Sequence, residues 1–416
     1  MKEAIIVVMR APSRLRLTVG PFLAVSVGHL TIDVFNSMGP VLVAFLRAPL
    51  ALSTTQMGLA VGCYQLLAGL TQPPFGWLAD RVGSRWLGPL SVAWAVGFVS
   101  VALSLAIGTG NYWLFLAVFS LAALGSGAFH PQGTMHAAEA TVGRAATTTA
   151  IFFLCGQVGL AGGPALCGFL LDRVGPPGIY GLALLTLPTI LLMRSGLRHS
   201  VNESRPREPS MEQERSGSSS AAVVAVLFVI FTCRGWVLIG TAAFLPAIFQ
   251  NAGWSATSYG ALTGFFWLGA GISGVMAGRI SDVIGRLPVV SLSTLVGGLL
   301  LLWLPVSSGV VAFIVALGTG AFLGAGHSIL IVMAQAMLPV RRGLASGLSL
   351  GYLFGSGAIA SMIIGVLADA WTLTRVIQGG AALGVLAAVL TLLLPASGRS
   401  WPPRSASADP VSAEGL

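Results

Sequence analysis

Apolar residues come in long runs broken by short polar segments, instead of alternating with polar positions at the period of an amphipathic helix or a strand. Crossing a bilayer as a helix takes about 20 such residues. Runs of that order fall near residues 18–46, 55–79, 86–107, 112–137, 145–171 and 177–193, and again near 221–248, 257–278, 287–305, 309–338, 343–369 and 376–396. The pattern predicts twelve membrane spans and an all-α fold. The longest polar stretch, 194–220, mixes charges with Ser, Pro and Gly, has no apolar period, and reads as a linker between two sets of six. The expected organisation is a six-helix bundle over 1–193 that includes a basic tail, the linker 194–220, a second six-helix bundle over 221–396, and a disordered tail over 397–416.

The placement of basic residues predicts the orientation. Eighteen of the 22 lie in the two tails, the linker and the loops on one side, whereas Arg47, Arg173 and Arg375 lie on the other and Arg234 lies inside the seventh span. Loops rich in Arg and Lys stay in the cytoplasm, so both termini and the linker are expected there and the bundles in the plasma membrane. The apolar run Ala4–Met9 is too short for a signal-peptide core, so the first residues read as a retained basic tail.

Composition then removes alternatives. Only 8% of the 416 residues are charged and 55% are hydrophobic, against about 25% charged in soluble domains. A large soluble domain, a disordered chain and a soluble nucleic-acid binder are all excluded, despite a net charge of +9. Cys63, Cys155, Cys167 and Cys233 sit in apolar stretches as small hydrophobes, with no disulfide framework or metal-like pairing.

A duplication can be read directly. Adding 202 to Gly58, Gly62, Gly69, Gly76, Asp80 and Gly83 in and after the second span gives Gly260, Gly264, Gly271, Gly278, Asp282 and Gly285 in and after the eighth. At about 100° per residue these positions hold to one narrow stripe, which lets another helix approach closely. A shorter echo, Gly four residues before Asp, ends the second, fifth, eighth and eleventh spans at Asp80, Asp172, Asp282 and Asp369. Three-helix units repeated in alternating orientation are a signature of secondary transporters.

The segment GWLADRVGSR, Gly76 to Arg85, resembles the signature between the second and third spans of the major facilitator superfamily, with Ser84 where a basic residue is usual. With the six-plus-six layout, the resemblance covers nearly the whole chain. It implies two bundles rocking about a central site, with Gly76, Asp80, Arg81, Gly83 and Arg85, and their repeat partners Gly278, Asp282, Gly285 and Arg286, gating the cytoplasmic side. Physically, Asp80 can favour the N-terminus of the eleventh span, while Arg81 and Arg85 pair with acids such as Glu139. The fifth span carries Gly159, Gly163, Pro164 and Gly168, which resembles a motif of exporter branches, and Pro164 is expected to kink it. Leu121 stands where many drug–proton antiporters place Arg. GHLTIDVFNS in the first span, GAFHPQG in the fourth, and Arg234 to Trp236 followed by Phe244-Leu245-Pro246 in the seventh resemble the fosmidomycin resistance protein branch, which implies a drug or metabolite exporter.

Two ionised residues remain near mid-membrane, Asp33 and Arg234. Each costs about 2.5–3.5 kcal/mol there on insertion scales, so each should face the bundle interior. His29, Asp33 and Asn36 share one helical face. A charge pair between Asp33 and Arg234 would lower the cost of burial. The expected function is proton-coupled export of a small molecule, with Asp33 and His29 as the proton site. Arg234, His130, Asn36, Gln157 and His327 are the expected substrate contacts and favour an anion. A proton-coupled importer of an organic anion on the same fold is the alternative. No nucleic acid, cofactor or metal is expected, because the five His show no ligand spacing, and the chain is expected to act as a monomer. Enzyme chemistry is not expected, since H-E-x-x-H and paired catalytic carboxylates are absent.

Overall fold

Because lipid offers no partner to a backbone N–H or C=O, a chain this apolar must satisfy those groups along its own helices. A computed structural model describes residues 19–82, 84–140, 145–197, 220–338 and 342–395. All of its regular structure is helical. The first half contains α1 (Val19–Leu46), α2 (Thr54–Leu70), α3 (Gln72–Val82), α4 (Ser84–Thr109), α5 (Tyr112–Glu139), α6 (Ala145–Arg173), α7 (Pro176–Leu184) and α8 (Leu187–Gly196). The second half contains α9 (Ala221–Gly235), a π-helical turn (Trp236–Gly240), α10 (Thr241–Asn251), α11 (Ala256–Ile284) and α12 (Arg286–Leu300). A 3-10 turn (Leu304–Val306), α13 (Gly309–Ala325), α14 (His327–Met337), α15 (Arg342–Ala370) and α16 (Leu373–Leu392) complete it.

Ten stretches are long and apolar enough to cross a membrane, and eleven when the bent pair Ala256–Gly274 and Met276–Ile284 is taken as one. The predicted count of twelve is not reached, because the second predicted span is divided at Thr71 into α2 of 17 residues and α3 of 11. Most of the predicted linker and the C-terminal tail lie outside the described residues.

Helix starts follow local chemistry. Ser53 caps α2 in a reciprocal box with Gln56, and Ser255, its repeat partner at the same offset of 202, caps α11. Between α11 and α12 the chain turns through Gly285 at φ +94, a conformation that side chains rarely adopt, which explains why glycine stands there. The expected kink at Pro164 does not end α6, which continues through it to Arg173.

The halves meet along two helix pairs, α6 against α11 and α2 against α15. Here the glycine stripe serves as predicted: Gly260 leaves room only for the Pro164 carbonyl, and Gly58 only for the Ser361 carbonyl. Two carboxylates latch the same end. Asp172 on α6 accepts from the backbone N–H groups of Ala256 (3.0 Å) and Thr257 (2.6 Å), the first residues of α11 in the opposite half. Asp369 on α15 does the same in reverse, accepting from Thr54 and Thr55 (2.9 Å each) at the start of α2 and from the Thr54 hydroxyl. Each satisfies donors that a helix N-terminus leaves unpaired and sits at its positive dipole end. Arg47 and Gln250 add bonds to Asn251 Oδ1 (2.5 Å) and the Ala44 carbonyl (2.8 Å) across the same end.

Contact stops toward the other end. Gly69, Gly274, Gly278, Gly351 and Gly355 have no atom within 4 Å of where a Cβ would stand, so the halves splay there among the described residues. The splayed end carries Arg81, Arg85, Arg279 and Arg286. Among the described residues, the gating residues predicted for this end make no hydrogen bond or ion pair with the opposite half in this state. Asp282 is exposed with no hydrogen bond among the described residues, and Gly76 faces Pro131 of its own half. Gly83 lies outside the described residues, as does the Asp80 side chain. Arg81 stacks on Trp77 at 3.9 Å, and neither it nor Arg85 pairs with Glu139 among the described residues, which corrects that expectation.

Replacing Asp172 and Asp369 together by Ala should free the latched end. A cap is worth about 1 kcal/mol, so losing both should shift the equilibrium toward opening there by roughly 25-fold. Spin labels at exposed Val174 and Ala252, with the four native cysteines replaced, should report a longer and broader distance distribution in the double variant than in its parent.

Candidate functional site

The first site grows from one face of α1. His29 and Asp33 stand one turn apart, Nε2 to Oδ2 at 3.2 Å, and Asn36 follows with its amide nitrogen donating to Asp33 Oδ1 at 2.9 Å. α5 supplies the third ionisable group: His130 Nε2 lies 3.5 Å from Asp33 Oδ1. Asn36 also donates to Ser126 Oγ (3.0 Å) and accepts from the Tyr64 hydroxyl (2.6 Å), so α1, α2 and α5 share one polar network. The His29 ring is stacked on Phe152 with 4.0 Å between centroids, and its Nδ1 reaches the Phe152 carbonyl at 2.8 Å. His130 Nδ1 reaches the Ser126 carbonyl at 2.8 Å. Gly156 of α6 closes the site, for a Cβ there would stand 2.5 Å from His29 Cε1 and 2.7 Å from Asp33 Oδ2.

Side-chain exposure falls from 23% at His130 to 8% at Asp33 and 3% at His29, so His130 is the wettest member. The three donors lie within 4.8 Å of one another, a span that suits a small cation or a pair of protons. Spacing along the chain could not reveal this set, since α5 supplies one donor and α1 the other two.

The second site lies in the other half. Arg234 is only 2% exposed and is separated by Gly235 alone from the π-helical turn, a distortion common at functional positions. Its guanidinium donates to Thr294 Oγ1 of α12 and to the Leu323 carbonyl of α13. Gly326, between α13 and α14, lies against it, since a Cβ there would stand 3.1 Å from both Nη atoms. His327 follows directly, edge-on to Phe354 at 6.1 Å.

The expected Asp33–Arg234 pair is not formed. Asp33 turns toward α5 and α6 of its own half, and Arg234 toward α12 and α13 of its own, so each charge is met locally. Arg234 is also sealed in this state instead of standing open to a ligand.

Two halves of repeated helices, joined at one end and splayed at the other around embedded charges, are accompanied by a match to the Major Facilitator Superfamily over residues 25–245 and 227–415. The chain belongs to that superfamily. Among curated members, it is similar to the fosmidomycin resistance protein of Escherichia coli (strain K12), with 26% identity over 393 residues, 92% of this chain and 94% of that one. It is similar to the same degree, 26% over 408 residues, to the uncharacterized MFS-type transporter YfnC of Bacillus subtilis (strain 168), covering 92% and 95%. Solved transporter structures share the fold. A bacterial homolog of the human lysosomal transporter Spinster, in an inward-facing and unoccupied conformation, superposes with a TM-score of 0.69 at 16% identity over 92% of this chain and 98% of that one. The nucleoside transporter NupG does so at 0.69 and 13% identity, over 91% and 99%. This superfamily member is a multi-pass plasma-membrane transporter of small molecules and not an enzyme.

In this transporter the sequence-predicted residues divide into groups. His29, Asp33, Asn36 and His130 come together, so His130, expected as a substrate contact, stands beside the expected proton site. Arg234 and His327 sit in the other half. Gln157 lies between the halves, its Oε1 3.0 Å from where a Cβ of Gly271 would be. Gly159 and Gly163 admit the α1 backbone, whereas Pro164 and Gly168 face α11, so the fifth-span motif serves two interfaces. Sequence reading missed Tyr64 and Thr294, for which a polar residue inside an apolar run was the signal available.

Gly156→Ala should force the His29–Asp33 pair to move and cost about 1–3 kcal/mol, as overpacking does. Gly162→Ala, on the same helix with nothing within 4 Å, should be neutral or slightly stabilising. Melting temperatures of the two purified variants in one detergent check the contrast.

Proposed function

We propose that this transporter exports a small molecule, an organic or phosphonate anion, in exchange for protons by alternating access. The observation that carries the reading is the separation of the two embedded charges, a carboxylate with two imidazoles in one half and an arginine without an acid in the other. Asp33 with His29 is the proton site, and Arg234, with His327 close by, Asn36 and Gln157, is where an anion is recognised as the halves rock. By the excess of Arg at the splayed end, that end and both termini face the cytoplasm, so the state described is inward-open. Outward movement of a monoanion against one entering proton carries two charges in the sense favoured by a negative interior, worth about 4.6 kcal/mol per 100 mV. The similarity to a protein named for fosmidomycin resistance supports export and this branch of the superfamily. The unit acts as a monomer, without cofactor or nucleic acid.

One observation favours a second reading. Protons arriving at His29, Asp33 and His130 make the cavity more positive and strengthen its hold on an anion. By reciprocity, anion binding then strengthens proton binding, which is the linkage of a symporter that imports. Exchange requires the opposite sign.

Cells expressing the protein should accumulate less of at least one compound in a panel of phosphonates, antibiotics and organic acids than cells lacking it, and dissipating the pH gradient should erase the difference. Greater accumulation on expression would establish import. For the compound so identified, Asp33→Asn should abolish pH-driven flux in proteoliposomes while the protein stays folded, and Arg234→Lys should weaken its binding about tenfold or more. Wild-type flux in Asp33→Asn would remove Asp33 from the mechanism.

A further inference from the structure

The hydrogen bonds made by the far side of each imidazole decide what its near side can do. Nδ1 of His29 faces the Phe152 carbonyl and Nδ1 of His130 faces the Ser126 carbonyl, both at 2.8 Å. A carbonyl oxygen only accepts, so each Nδ1 carries a proton. In a neutral imidazole the other nitrogen is then a bare acceptor. Both Nε2 atoms point at Asp33, one at each carboxylate oxygen, across gaps of 3.2 and 3.5 Å. An ionised carboxylate also only accepts. With both imidazoles neutral, each gap opposes one lone pair to another inside a site that is nearly dry. A proton in each gap turns both into charge-assisted hydrogen bonds.

We infer that His29, Asp33 and His130 form a two-proton store, with one proton in each Nε2–carboxylate gap, and that His130 is a second coupling residue beside Asp33 and His29. The inference rests on the transport reading for its purpose and on the geometry for its content. The surroundings hold the arrangement. Asn36 donates to Asp33 Oδ1 and to Ser126 Oγ, which uses both of its N–H groups, so it cannot supply the donor that either Nε2 lacks. Phe152 and Gly156 fix the His29 ring, leaving Nε2 no second direction. Among the described residues of the helices packed on α1, the ionisable groups that reach Asp33 are His130 of α5 and, through Asn36, Tyr64 of α2. α6 offers the Phe152 carbonyl and Gly156, and α4, α8, α10 and α11 offer none. The Arg234 guanidinium is engaged in its own half.

The store has an order. His130 is the exposed member and occupies the longer gap, so its proton exchanges first with the open side, and the proton between His29 and Asp33 exchanges behind it. The cluster spans net charges from −1, empty, to +1, filled, and a monoanion crossing against a full complement moves three charges per cycle where a lone carboxylate would move two.

Proton counting tests this without a transported compound. Purified protein in nanodiscs is shifted from about pH 5 to about pH 9, a range that brackets an ordinary imidazole, and the protons released are measured with an indicator dye. Asp33→Asn should release two fewer protons than wild type, because without the carboxylate neither gap has an anion to hold its proton. His130→Gln should release one fewer. A deficit of one or none in Asp33→Asn overturns the inference, since independent histidines would keep their own protons. Nitrogen NMR of histidine-labelled wild type supplies a second check, on the tautomers themselves. At high pH two of the five histidines should stay protonated at Nδ1 with Nε2 bare, assigned by losing each signal in His29→Gln or His130→Gln. The opposite tautomer at either position overturns the inference. A failed count leaves the flux experiments untouched, and failed transport leaves the count standing.

Discussion

A charge in a membrane interior must be satisfied, and here each one is satisfied within its own half. Asp33 is met by two imidazoles and an amide from helices of the first half, Arg234 by a hydroxyl and a carbonyl of the second. Had the two paired with each other across the interface, parting the halves would have left two uncompensated buried charges, a cost of several kcal/mol. Because they do not, the contact between the halves among the described residues is made of glycine-lined backbone, the bonds of Arg47 to Asn251 and Gln250 to Ala44, and two carboxylates bonded to the starts of facing helices. Those are interactions that water can replace at modest cost when the joined end opens.

The joined end also explains the repeat. Gly168 and Asp172 on α6 receive the start of α11, and Gly365 and Asp369 on α15 receive the start of α2. Glycine lets the incoming helix end come close, and the aspartate one turn later takes its free N–H groups. The same four-residue device recurs at Asp80 and Asp282 on the opposite end, in reversed orientation. Repeated units in alternating orientation therefore place the same Gly-to-Asp spacing at both ends of the molecule.

Much of this architecture was legible in the sequence because it is written in spacing. The offset of 202 aligned Gly58 with Gly260 and Ser53 with Ser255, and those residues do equivalent work in space. What spacing could not supply was azimuth between separate helices. Asp33 and Arg234 were each rightly placed as embedded charges, yet their partners depend on how α1 turns toward α5 and how the helix turn at Trp236 aims its neighbour, and no linear pattern encodes either. The same limit hid the convergence of His130 on Asp33. The break at Thr71, which divides the second predicted span, falls just before Pro73 and Pro74, a local signal that the length of the apolar run overrode in the reading of one continuous span.

Asp33 on α1 and Arg234 on α9 are 201 positions apart, close to the repeat offset, and His130 and His327 are 197 apart. The duplication thus left each half with an embedded charge and a nearby imidazole, and the two charges differ in sign. While the carboxylate is ionised and its histidines neutral, one half holds a buried negative charge and the other a buried positive one. A polar solute taken up between the halves would meet opposite poles on its two sides, with its negative end turned toward the second half.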